Sequence, residues 1–134
     1  METTTQPIKQ GHVGPSLILL ACTHAVLFVG GLILCVLLAG KAFVSPFAPA
    51  EAIVDYYRFN DDAVRVQSFF LFGSSIPLGL YTATVVSRLN YPGIRAAGVT
   101  IALYGGLGAS YFLAFAGLMQ WVLSHPELAT STCC

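Results

Sequence analysis

Residues 15–40 read PSLILLACTHAVLFVGGLILCVLLAG, and this stretch decides the fold of the chain. It contains no Asp, Glu, Lys or Arg and ends at Lys41. The hydrocarbon core of a bilayer is about 30 Å thick, and a helix needs about 20 apolar residues to cross it. The run is also longer than the roughly 7–15 apolar residues of a signal peptide, and no convincing A-x-A cleavage site ends it. We therefore expect a retained transmembrane helix over 15–40.

A second apolar run predicts a transmembrane helix over 64–89, with an arginine near each end. Pro77 lies inside this run. Proline removes one backbone hydrogen bond, so we expect a kink there. The hydroxyls of Ser74 and Ser75 are close enough in sequence to help satisfy the freed carbonyl of Gly73.

A third run predicts one long, tilted transmembrane helix over 94–124, after a Tyr-Pro-Gly turn signal. Two shorter spans do not fit this run. A division at its central glycine pair would leave about 15 residues on each side, which is too short to cross a bilayer.

The composition agrees with an all-α integral membrane protein formed by one domain over residues 1–134. Only 9% of the residues are charged, compared with about 25% in soluble domains. Six basic and six acidic residues cancel, and the mean hydropathy is +0.76. These values exclude a disordered chain, a nucleic-acid binder and an ordinary soluble domain. The expected surroundings are a lipid bilayer, with no nucleic-acid partner.

The segment 41–63 is the only sizeable polar segment between spans. Within it, residues 49–59 (PAEAIVDYYRF) predict a short helix at the membrane interface, because Ile53, Val54 and Tyr57 can share one face. The alternative is a surface loop with one helical turn.

Polar segments also lie at the two ends of the chain, over 1–14 and 126–134. The last two residues are Cys133 and Cys134, which fit an unstructured tail or, less readily, thiols that bind a soft metal or receive a lipid. The second and third spans are joined by a short basic loop, which places the N-terminus inside and the C-terminus outside under the positive-inside rule. We expect the membrane to be a bacterial cytoplasmic membrane.

Small residues recur every four positions in the second and third spans. Such small-xxx-small ladders let two helix backbones approach closely. Two interpretations remain open: the ladders pack the helices of one chain together, or they form the face of a homo-oligomer or of a contact with other membrane subunits. The candidate packing residues are Ser75, Gly79 and Ala83 in the second span, and Gly98, Ala102, Gly106, Ser110 and Ala114 in the third.

His24 is the candidate polar residue inside the membrane, where an ionisable group suggests function. The favoured interpretation is a neutral ring that is hydrogen-bonded to a hydroxyl or a backbone carbonyl. Haem ligation would need a second axial ligand, and neither His12 nor His125 is expected at the same depth. Tyr104 and Tyr111 share one stripe of the third span and fit either helix packing or a quinone-like pocket.

The motifs of the common enzyme classes are missing from the sequence, including a P-loop, a dinucleotide fingerprint and a metalloprotease helix. We therefore predict no catalytic residues, no metal site and no cofactor, and lean toward a non-enzymatic role. The leading hypothesis is a packing or accessory subunit of a membrane assembly, or a homo-oligomer. A haem- or quinone-binding redox protein using His24 is the least favoured hypothesis. The remaining alternative is a carrier or channel for a small neutral solute, lined by Ser74, Ser75, Thr82, Thr84, Ser110 and the tyrosines.

Overall fold

The computed structural model describes residues 14–90 and 97–125, and these form helices with no strand. Three of the helices are long and apolar enough to span a membrane, which confirms the predicted fold class and is compatible with an integral membrane protein. In chain order the helices are α1 (Leu17–Ala39), α2 (Ala50–Phe59), α3 (Asp61–Asn90) and α4 (Ala97–Leu123).

The helix boundaries lie within a few residues of the predicted ones. The main difference is at the start of α3, which begins at Asp61 instead of residue 64. Two acidic residues in its first turn favour this earlier start, because negative charge is stabilised at a helix N-terminus. The predicted start of the third span at 94, most of the polar segment 1–14 and the tail 126–134 with its two cysteines lie outside the described residues.

α1 is bounded by local signals at both ends. The Ser16 hydroxyl accepts a hydrogen bond from the backbone N–H of Leu19 at 3.3 Å, which satisfies one of the free N–H groups of the first turn. At the other end, Gly40 adopts a left-handed conformation with φ of 63°, which glycine reaches without a steric penalty. The first span therefore ends one residue before Gly40.

α3 is the central element of the fold. It packs against α1 on one side and α4 on the other, whereas α1 and α4 share no extended contact among the described residues. Both neighbours run antiparallel to α3. Along α1, His24 lies against Ser74 and Gly31 against Phe70, and along α4, Gly106 lies against Thr82 and Gly117 against Phe72. The three spans therefore form an open layer and not a closed bundle.

Arginine side chains at the two ends of α3 reach carbonyls at the ends of its neighbours. Arg88 donates to the carbonyl of Pro15, just before α1, at 3.0 Å. Arg65 makes a longer contact with the carbonyl of Ser124, just after α4, at 3.5 Å. Carbonyls at a helix C-terminus lack hydrogen-bond donors within the helix. Arg65 therefore offers a donor to a carbonyl that α4 leaves without one.

α2 is held to the layer by Tyr56, which is 3% exposed. The Tyr56 ring lies 5.9 Å from the ring of Phe43 and 5.4 Å from the Lys41 ammonium group. Its hydroxyl lies next to the Cys35 thiol but makes no hydrogen bond of standard geometry within the described residues. Burial, with a smaller contribution from Cys35, raises the pKa of Tyr56 to about 12.

The predicted helix over 49–59 is therefore present, but its buried face differs from the prediction. Ile53 and Tyr57 are half-buried, Val54 is exposed, and Tyr56 is the buried residue. Tyr56 follows Ile53 by three positions and so shares its face. That spacing is the signal that would have identified it.

Candidate functional site

The polar side chains of the spans meet around Pro77 of α3, through which the helix continues. Ser74 and Ser75 are both buried there. Their hydroxyls donate to the carbonyls of Leu71 at 2.8 Å and Phe72 at 2.6 Å. They do not serve the carbonyl of Gly73, because a helical serine reaches the carbonyl three or four residues before it. The two serine hydroxyls therefore do not satisfy the Gly73 carbonyl that Pro77 leaves free, contrary to the expectation.

His24 connects α1 to this region of α3. Its Nδ1 atom lies 2.9 Å from the carbonyl oxygen of Ser74. A carbonyl can only accept, so Nδ1 carries the proton, and in the neutral ring Nε2 is an acceptor. The ring also stacks on Phe28, with 6.0 Å between centroids. The structure therefore gives His24 a backbone carbonyl as its partner.

Ser110 makes the matching connection from α4. Its hydroxyl donates to the carbonyl of Ser75 at 2.7 Å. α1 and α4 thus each donate one side-chain hydrogen bond to consecutive carbonyls of α3, three and two residues before Pro77. We call the group His24, Ser74, Ser75, Pro77 and Ser110 the Pro77 junction. Hydrogen bonds of this kind between membrane helices are worth about 0.6 kcal/mol each on average.

Part of each small-residue ladder lies at the contact between α3 and α4. A Cβ atom at Gly79 would lie 3.0 Å from the Ser110 hydroxyl oxygen, and one at Gly106 would collide with the side chain of Thr82. The remaining candidates lie farther from the contact. Ala114 is half-buried, while Ala83, Gly98 and Ala102 are exposed.

This partial use of the ladder follows from helix geometry. Four residues exceed one helical turn by about 40°, so the five positions from Gly98 to Ala114 sweep about 160° around α4. One neighbouring helix cannot contact all of them. The residues of α4 that are buried or in contact with α3 are instead spaced by seven, four and seven positions, a heptad-like pattern. They are Val99, Gly106, Ser110 and Gly117.

Gly117 is the packing residue that the ladder did not include. A Cβ atom there would lie 2.9 Å from the backbone nitrogen of Phe72 and 3.0 Å from the carbonyl of Ser68. The backbones of α3 and α4 are therefore in direct contact at Gly117. A search for small residues spaced by seven would have found it from Ser110.

The serine and threonine hydroxyl groups proposed to line a solute path are already engaged. Thr82 donates to the carbonyl of Leu78 at 3.0 Å, and Thr84 donates to its own helix in the same way. With the two buried serines and Ser110, all five hydroxyl protons go to backbone carbonyls of α3. Among the described residues, no group of three or more His, Cys, Asp or Glu side chains is placed to hold a metal ion.

Unpartnered polar atoms are found at the end of the layer where α3 begins and α4 ends. Within the described residues, the buried Oε1 atoms of Gln67 and Gln120 and the buried Nε of Arg65 have no hydrogen-bond partner. Gln67 and Gln120 lie at the same level, because α3 and α4 are antiparallel and Ser68 lies against Gly117. The sequence suggested no role for either glutamine.

The Pro77 junction thus ties three spans together at one depth, using groups that bond to backbone and not to each other. Its hydrogen bonds hold α1 and α4 against α3. Among protein-family models, curated proteins and solved structures, nothing matches this chain, so its function is inferred from its own residues.

Proposed function

We propose that this chain is a small, non-enzymatic packing or accessory subunit of a membrane assembly. The observation that carries the proposal is the open layer of spans, in which α3 is covered on two sides while α1 and α4 are each covered on one. α4 also exposes the small residues Gly98, Ala102 and Gly105. Small residues let another helix approach closely, so this surface suits a helix from another subunit.

The Pro77 junction supports the same role. His24 and Ser110 give their hydrogen bonds to α3, which holds the three spans in one arrangement. A preformed surface loses less conformational freedom when a partner binds. The carrier alternative has less support, because the serine and threonine hydroxyl protons that would line its path are engaged.

We further propose that the N-terminus lies on the cytoplasmic side of a bacterial membrane. The support is Arg88 and Arg95, which flank the short connection between the second and third spans. A reporter fused to the C-terminus tests this orientation. Activity of an external reporter is expected there, and activity of a cytoplasmic one would contradict it.

The subunit role is tested by purification from native membranes in a mild detergent, followed by native mass spectrometry. We expect the chain to purify in a complex with other subunits or with further copies of itself. Ala102→Leu should release a subunit that docks on the small residues of α4, because it places a bulky side chain there. Ala25→Leu, on the exposed surface of α1, is the matched control. A strict monomer without any partner would contradict the proposal, and a visible haem spectrum would favour the redox alternative.

A further inference from the structure

Tyr111 places a phenol group near the middle of the third candidate span, on an outward-facing side of α4. It is the fifteenth of the 27 residues of the helix, about 20 Å from either end. The side chain is 68% exposed. Among the described residues it touches the ring of Phe112, with 5.9 Å between centroids, and its hydroxyl has no hydrogen-bond partner there.

A hydroxyl at this position needs a hydrogen-bond partner that the described residues do not supply. Transfer of a hydroxyl from water into hydrocarbon is unfavourable unless the hydroxyl finds a hydrogen-bond partner there. Tyrosines of membrane proteins are enriched at the two interfaces, where the hydroxyl meets water. Tyr111 lies about 15 Å from either edge of the hydrocarbon core, which is beyond the reach of its side chain.

Tyr104 shows the contrast on the same stripe of α4. It is 75% exposed but lies only about 10 Å from the start of the helix. Helical side chains point toward the N-terminus, so the Tyr104 hydroxyl is directed to the nearby interface. Depth therefore distinguishes two tyrosines that are similarly exposed, and only Tyr111 needs a partner within the membrane.

We infer that a second copy of this chain covers this face of α4, with the two Tyr111 hydroxyls hydrogen-bonded to each other; this rests on the proposed subunit role. A phenol both donates and accepts. In a twofold dimer a residue near the axis meets its own counterpart. Two copies with the same topology place their Tyr111 residues at the same depth.

The surroundings of Tyr111 fit a helix pair. Tyr104, Gly108, Tyr111 and Phe115 are spaced by four, three and four positions, which is the seam pattern of two helices that cross at a small angle. A Cβ atom at Gly108 would meet nothing within 4 Å in the described structure, which leaves room beside the phenol. This seam lies on the side of α4 opposite Gly106 and Gly117, so a second copy leaves the contact with α3 intact.

Cross-linking in lipid vesicles tests the position of the dimer. In a variant whose four native cysteines are replaced, Tyr111→Cys is expected to give a covalent dimer upon oxidation with copper phenanthroline. Val26→Cys, at an equally exposed position (70%) near the middle of α1, is expected to remain monomeric. No dimer with Tyr111→Cys, or equal yields at both positions, would overturn the inference.

A second measurement tests the hydroxyl itself, through resonance energy transfer between labelled copies in vesicles. Tyr111→Phe is expected to raise the dimer dissociation constant about threefold to about twentyfold, while Tyr104→Phe leaves it unchanged. An unchanged constant for Tyr111→Phe would overturn the paired hydroxyls. If the wild-type chain does not pair with itself but other subunits co-purify, the inference fails and the proposed subunit role stands. If neither is found, both fail.

Discussion

The start of α4 and the rest of the helix carry the same kinds of small residue but use them differently. Gly98 and Ala102 are exposed near the start, and Val99 is the buried residue there. From the middle onward, Gly106 and Gly117 lie directly against α3. The angular position of a small residue, and not its presence, therefore decides whether it brings two helices together.

Gly117→Ala is expected to have the largest effect, because it tests directly whether Gly117 lies in the contact between α3 and α4. Its new Cβ would meet backbone atoms of Ser68 and Phe72, which cannot rotate away, so α3 and α4 must separate. We expect a loss of about 1–3 kcal/mol in the free energy of unfolding, measured by denaturant titration in detergent. Gly105→Ala, which meets nothing within 4 Å in the described structure, should be neutral or up to about 1 kcal/mol more stable, since alanine favours helix. Equal effects at the two positions would contradict the assignment of the contact face.

A change at Gly106 tests the same contact through a side chain. Gly106→Ala should destabilise the chain by about 1 kcal/mol, at the low end for overpacking, because its Cβ collides with the Thr82 side chain. Thr82→Ala removes two of the three colliding atoms and leaves a Cβ at 2.9 Å, so it should restore part of the loss. A double-mutant cycle on the same denaturation measurement gives the coupling. Purely additive effects would show that the two residues are not in contact.

The hydrogen bond of Ser110 offers the finest test. Ser110→Ala removes the donor to the Ser75 carbonyl and should cost about 0.6 kcal/mol, the average for such bonds in membranes. Thr84→Val, whose hydroxyl bonds only to its own helix, is the control and should change stability less. If the two substitutions cost the same in detergent unfolding, the bond between helices adds nothing to the layer.

Several features could be predicted because they depend on local composition. Long uncharged runs predict spans, and the apolar residues that share one face of 49–59 predict a short amphipathic helix. The partner of His24 could be named only as a class, because Ser74 is fifty residues away in the chain. Tyr56 and Gly117 were missed because helical spacing allows several faces, and the neighbouring helix decides which of these faces is buried. The four-residue ladder is a feature of the sequence, but its phase relative to α3 cannot be obtained from spacing alone.

The amino-acid sequence by itself determined that three segments of this chain are helices able to span a membrane, because each one satisfies its own backbone hydrogen bonds and has apolar side chains. Tertiary structure alone decided that α3 lies between α1 and α4, that the carbonyls before Pro77 receive His24 and Ser110, and that Tyr111 is left facing outward. Lipid surrounds every face of an apolar helix equally well, so the lipid does not select which face packs against a neighbour. The choice of neighbour therefore depends on close backbone approach and a few hydrogen bonds, which exist only once the helices are side by side.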